Sequence, residues 1–145
     1  MIWIKIAIIV FIILETGNIM MMYFLPDSKM GNGVGVFKAW EKSKTDPEIH
    51  SFAKYMVNWV AGTKVIFILL LIVFLVWGDD TTLPFVGIAM TLSIATFFFR
   101  LFPMIKDMDN NSQIDPKGYS KTLRWMILGM ILVFSAATIL AFLSY

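Results

Sequence analysis

The chain has 145 residues, 59% hydrophobic and 15% charged, against about a quarter charged in an ordinary soluble domain. It has no cysteine and one histidine, His50. That excludes disulfides, thiolate metal sites and a histidine-ligated haem or zinc within one chain, so no cofactor is expected. A formal net charge of +2 is too small for an electrostatic nucleic-acid binder.

The apolar residues fall in unbroken runs of about 18 or more, the length a helix needs to cross a hydrocarbon core of about 30 Å. They predict an all-α integral membrane protein, a four-transmembrane-helix bundle in one domain, 1–145. The spans are placed near 2–25, 55–78, 84–102 and 122–143. The first starts at Ile2 and stops at Pro26; with no small-x-small site after it, it reads as a retained span and not a signal peptide. The loop that follows has MGNGVGVF, with glycines at 31, 33 and 35, then FKAWEKSK. The glycines miss the spacing of a phosphate-cradling loop, because Val36 stands where the third is needed and no strand precedes, so they read as a flexible turn. FKAWEKSK reads as a short interfacial helix, with Phe37 and Trp40 at headgroup level and its lysines on phosphates.

The second helix is predicted to begin before its span, at TDPEIH, where Asp46 caps, Pro47 takes the first turn and Glu48 favours the positive helix end. Asp46, Glu48 and His50 therefore read as a cap and a solvated first turn, not as a metal or acid/base site. The GDDTTLP connection leads to the third span, which Pro103 ends or kinks. The fourth is expected to open at Asp115-Pro116. The likeness of DPEIHS to DPKGYS raises a parallel duplication of two helical hairpins, set against the fact that Asp-Pro is a common helix start.

Lysines 29, 38, 42 and 44 in loop 26–53, and Lys106, Lys117 and Lys121 in loop 103–121, with Arg100 and Arg124 flanking, place both long loops in the cytoplasm and both termini on the outer side. Asn110-Asn111-Ser112 matches a glycosylation sequon, and a glycan there would invert this topology. Bacterial inner (cytoplasmic) membrane is the expected location.

Glu15 stands out within FIILETGNIMMM. A charge near the membrane centre costs about 2.5–3.5 kcal/mol and normally faces a bundle interior or a wet cavity. By helical rise Glu15 lies roughly 18–20 Å in from the outer end, Lys64 about 21 Å and Arg100 about 24 Å. Asn18 follows Glu15 by three residues and shares its face, while Lys54, Val57, Ala61 and Lys64 share a face of the second helix. An intramembrane cluster of Glu15, Asn18, Lys64 and Arg100 is expected. Its readings are an ion pair that fixes helix neighbours, a cation or proton site, or part of a basic pocket. For an anion or lipid headgroup the candidates are Lys54 and Arg124, with Lys38 and Trp40 from the first loop.

Met20, Met21 and Met22 point to three sides of a helix and cannot converge on a metal. Trp3, Trp40, Trp59, Trp77 and Trp125 fit an aromatic belt, and Phe97, Phe98 and Phe99 cover most sides of their helix. Gly87, Ala89, Gly129, Ser135, Ala136 and Ala137 mark close helix approach without a clean GxxxG. Three functions compete. The leading one is a non-catalytic subunit or assembly partner of a membrane complex, beside another membrane protein or copies of itself. The others are an oligomeric channel or transporter using the Glu15 cluster, and a lipid-headgroup-binding or lipid-modifying protein, for which no convincing catalytic set is found.

Overall fold

A computed structural model describes residues 1–144, and they form an all-helical bundle, 79% helix, with no strand among them. The helices are α1 (Ile2–Phe24), α2 (Lys38–Ser43), α3 (Pro47–Trp77), α4 (Leu83–Ala95), α5 (Leu101–Asn110) and α6 (Tyr119–Leu143). Counting α4 and α5 as one interrupted span, four helices are long and apolar enough to cross a membrane.

The bundle forms around α1 because that helix carries a continuous inward stripe. Ile4, Ile8, Phe11, Glu15, Ile19 and Met22 recur every three or four residues and are all buried. α3 and α6 pack on α1, and α4 lies against α6. Phe11 is the keystone, its ring edge-on to Phe67 of α3 at 6.1 Å and to Phe134 of α6 at 5.8 Å. Gly87 lets α4 close on the core, since a Cβ there would lie 2.1 Å from Thr138 Oγ1 and 2.8 Å from Ile4 Cδ1. Outward, the long helices expose Ile13, Leu14, Ile66, Leu69, Leu132 and Leu143, an apolar surface far beyond what a water-soluble monomer shows.

The Met1 amino group donates to Ser144 Oγ at 3.0 Å, and Lys5 stands 3.8 Å from Asp80. Both termini therefore share one end of the bundle with the 78–82 hairpin, and the two long loops share the other. In that hairpin Asp79 Oδ1 accepts from Thr82 N, Thr82 Oγ1 and Thr81 Oγ1, each at 2.7 Å. These bonds, led by the Thr82 hydroxyl, hold its carboxyl down at about 2.

Asp46 caps α3 as read, accepting from Glu48 N at 3.0 Å and Ile49 N at 3.2 Å. Several other expectations are corrected. The third span is not one helix over 84–102; it gives way to a 3-10 turn at Thr96–Phe98 and resumes at Leu101. Pro103 is the remote cause. Its ring would strike the Phe99 carbonyl in a continuous helix, so the chain breaks one turn earlier and Pro103 lands in the first turn of α5, where no N–H is needed.

The fourth helix opens at Tyr119 and not at Asp115-Pro116, after Gly118 in the left-handed region (φ 90°). Asp109, at the end of α5, supplies the cap by accepting from Gly118 N (2.9 Å), Ser120 N (3.0 Å) and Ser120 Oγ (2.6 Å). Asp115 instead pairs with Lys29, which holds its carboxyl below the usual range, and its N–H donates to the Val36 carbonyl at 2.9 Å. The Asp46 and Asp115 openings are therefore not structural equivalents.

The first loop is no flexible turn. Val34 N and Gly35 N both donate to the Pro26 carbonyl, and Gly33 and Gly35 are buried against it. A Cβ on Gly35 would sit 1.9 Å from Asp27 O, and one on Gly33 2.2 Å from Ser28 O, so only glycine allows the approach. The loop is then clasped to the second long loop through the Phe37–Ile114 bridge and Lys38 N to Gln113 O at 2.9 Å.

Candidate functional site

Glu15 lies on the buried stripe of α1, and what meets it comes from α3. Ala61 is fully buried and small, so the two helices close together at that level. One turn on, Lys64 reaches across and donates from Nζ to Glu15 Oε1. Asn18, one turn along α1, donates from Nδ2 to Glu15 Oε2 at 3.0 Å. Both carboxylate oxygens are thus engaged, and the Glu15 side chain is only 10% exposed. The Lys64 side chain is 26% exposed, and that exposure faces a cleft.

The cleft has a volume of about 600 Å³. It is lined by Phe11 and Glu15 of α1, Lys64 of α3, Phe97 of the third span, Met130 of α6, and Asn32 to Val34 with Phe37 of the first loop. It exists because α3 and the third span both lean on the α1/α6 pair while touching each other little. Ser93 borders both this cleft and a second, apolar crevice of about 300 Å³ that runs between α3 and α4, lined by residues such as Phe67, Leu71, Phe85 and Met90. The break in the third span falls at the level of the ion pair. Lys64 and Thr96 each lie about 20 Å from the hairpin end of their helices at 1.5 Å per residue. At the break the Thr96 hydroxyl turns back to the Ser93 carbonyl at 2.6 Å.

Three of the four residues expected in the cluster come together: Glu15, Asn18 and Lys64. Arg100 does not join them. It is exposed at the start of α5, its guanidinium 5.4 Å from the Phe99 ring centre, because the helix break redirects the chain before it. The anion or headgroup set is not assembled either. Lys54 and Lys38 are exposed, and exposed Arg124 lies 5.8 Å from the Trp125 ring centre.

Trp40 is buried, not at an interface. Its Nε1 donates to Asp27 Oδ1 at 2.5 Å and its ring packs on His50 at 4.8 Å, while Ser43 Oγ and His50 Nδ1 lie 2.9 Å apart. Lys44 and Trp40 together hold the Asp27 carboxyl below its ordinary range. Trp40 thus fastens the first loop to the start of α3.

Sequence reasoning missed the cleft itself and its rim residues Ser93, Thr96 and Tyr119. The hydroxyls of Ser93 and Thr96 interrupt the apolar run at the helix break, which is the signal that was there to read. Comparison of the chain with protein-family models, with curated proteins and with solved structures finds no match.

Proposed function

We propose that this chain is a non-catalytic membrane protein that holds one lipid-borne amphiphile in its lateral cleft. One observation carries the reading: a paired, hydrogen-bonded polar group stands in a mainly apolar cleft that adjoins an apolar crevice at Ser93. Ligand sites are typically clefts of about 300–1,000 Å³ with apolar walls and a few convergent polar groups. A polar head fits beside Lys64 and an apolar chain fits between α3 and α4. The clasped loops close the long-loop end, so the ligand comes from the bilayer and not from water. In this reading the chain presents the molecule to a partner membrane protein or to further copies of itself.

Native mass spectrometry of the gently solubilised protein tests it. A one-to-one adduct of lipid mass is expected, lost when Ser93→Phe fills the junction of cleft and crevice. Adduct-free protein, or an adduct equally abundant in the variant, refutes it. The proposal includes a bacterial inner membrane with the lysine-rich loops in the cytoplasm. In the cysteine-free chain a single cysteine at Thr81 should then react with an impermeant maleimide on intact cells, and one at Ser112 should not.

A second reading, transport of a proton or small cation, draws support from the interrupted third span at the depth of the ion pair, since broken helices line the sites of many transporters. It requires that Glu15→Gln abolish flux into proteoliposomes while the protein remains folded.

A further inference from the structure

Resting on the amphiphile reading, the geometry points to the chemistry of the head: we infer that the cleft takes a neutral lipid head presenting carbonyl-type oxygens, and that Lys64 is the group that recognises it. A cationic head is disfavoured because Lys64 and Asn18 already engage the two oxygens of Glu15, which is itself only 10% exposed, and because the lysine would repel it. An anionic head is disfavoured because Lys64, the only cation lining the cleft among the described residues, is already neutralised in contact with Glu15. A second negative charge would enter an apolar site with nothing to balance it. Arg100, Arg124, Lys54 and Lys38 do not line the cleft and cannot compensate.

What the site offers most openly is donors, since Lys64 is 26% exposed and Glu15 only 10%. The ammonium carries three N–H groups, and among the described residues Glu15 is its one acceptor. The remaining donors belong to a side chain partly open to the cleft. Glu15 thus cancels the field of Lys64 at a distance, and Asn18 holds the second carboxylate oxygen. That leaves a strong donor with no net charge, the complement of an ester, ketone or quinone oxygen.

Two membrane sources offer that chemistry, acylglycerols and isoprenoid quinones, and photolabelling separates them. The full chain in nanodiscs is exposed to a diazirine diacylglycerol, an azido-quinone with an isoprenoid tail, a diazirine phosphatidic acid and a diazirine sphingosine, and labelled residues are mapped by peptide mass spectrometry. One or both neutral probes should label cleft residues such as Phe97 or Met130, and the one that does names the source. The double variant Glu15→Gln/Lys64→Met strands no charge. With its fold checked by thermal melting, it should label about tenfold less or weaker still, the loss of one hydrogen bond to a charged donor. Phosphatidic acid or sphingosine labelling the cleft as strongly as the neutral probes, or undiminished labelling of the double variant, overturns this assignment while leaving an amphiphile site. Absence of cleft labelling by all four probes overturns both.

Discussion

Replacing Lys64 with methionine removes one charge of the Glu15–Lys64 pair and keeps the unbranched apolar stem. Glu15, 10% exposed, then retains only Asn18 as a donor. Breaking a buried pair from one side costs about 3–5 kcal/mol, because the remaining charge is uncompensated. Lys64 is 26% exposed, so the pair is not fully sealed, and the lower end of that range, about 3 kcal/mol, is the expected loss.

The converse variant, Glu15→Gln, strands the lysine instead and should cost a similar amount. The exchange Glu15→Lys/Lys64→Glu recovers most of the stability, because the same two charges again meet. Reversible unfolding of the four proteins in mixed micelles, followed by circular dichroism, measures all of this. Single variants within about 1 kcal/mol of the parent, or an exchanged double no more stable than the single variants, would refute a paired and desolvated Glu15.

Gly87→Ala should destabilise the bundle by about 1–3 kcal/mol, since the new methyl meets Thr138 Oγ1 and Ile4 Cδ1. Gly129→Ala, with nothing within 4 Å, should be neutral or gain up to about 1 kcal/mol from helix propensity, and the two melting curves side by side decide it. Gly35→Ala forces its Cβ onto the Asp27 carbonyl, a backbone atom that cannot yield, so trypsin should cut at Lys29 and Lys38 much faster than in the parent. Unchanged cleavage would mean the loop is not held as described. Asp79 titrates at about 2 in the hairpin against 3.8 for an unhindered aspartate, so its stabilising bonds are complete above about pH 4 and are lost as the pH falls through about 2. The difference in melting temperature between the parent and Asp79→Ala should be flat above pH 4 and close toward pH 2.

The long apolar runs made the four spans legible, and helical rise alone put Glu15 and Lys64 at one depth. Their pairing was readable because insertion into hydrocarbon leaves a lone carboxylate few alternatives. Arg100 shows where depth arithmetic stops. Its rise was counted along an unbroken helix, and the 3-10 turn at Thr96–Phe98 turns the chain before that residue arrives. Asp46 and Asp115 show the same limit for local motifs. Both precede proline, but only Asp46 is free to bond its own helix, since Asp115 is taken by Lys29 from a loop 86 residues away in sequence. Trp40 carried the composition of an interfacial residue and became a buried fastening because Asp27 offered its indole a partner. No spacing rule in one chain reveals such long-range partners, and the cleft is likewise a product of how two pairs of helices lean, not of any segment.

The clasp between the two long loops bears on how the molecule moves. One loop joins α1 to α3 and the other joins α5 to α6, so the Phe37–Ile114 bridge and the Lys29–Asp115 pair link separate hairpins. At the far end the same hairpins are tied by residues 78–82 and by the meeting of Met1 with Ser144. Halves fastened at both ends cannot separate as a pair of jaws. Any widening between α3 and the third span has to be a bowing in the middle, like a slit opening in a ribbon held at both hems. The break in regular helix just before Leu101 is where that bowing meets least hydrogen bonding, and it is flanked by the cleft residues Phe97 and Leu101.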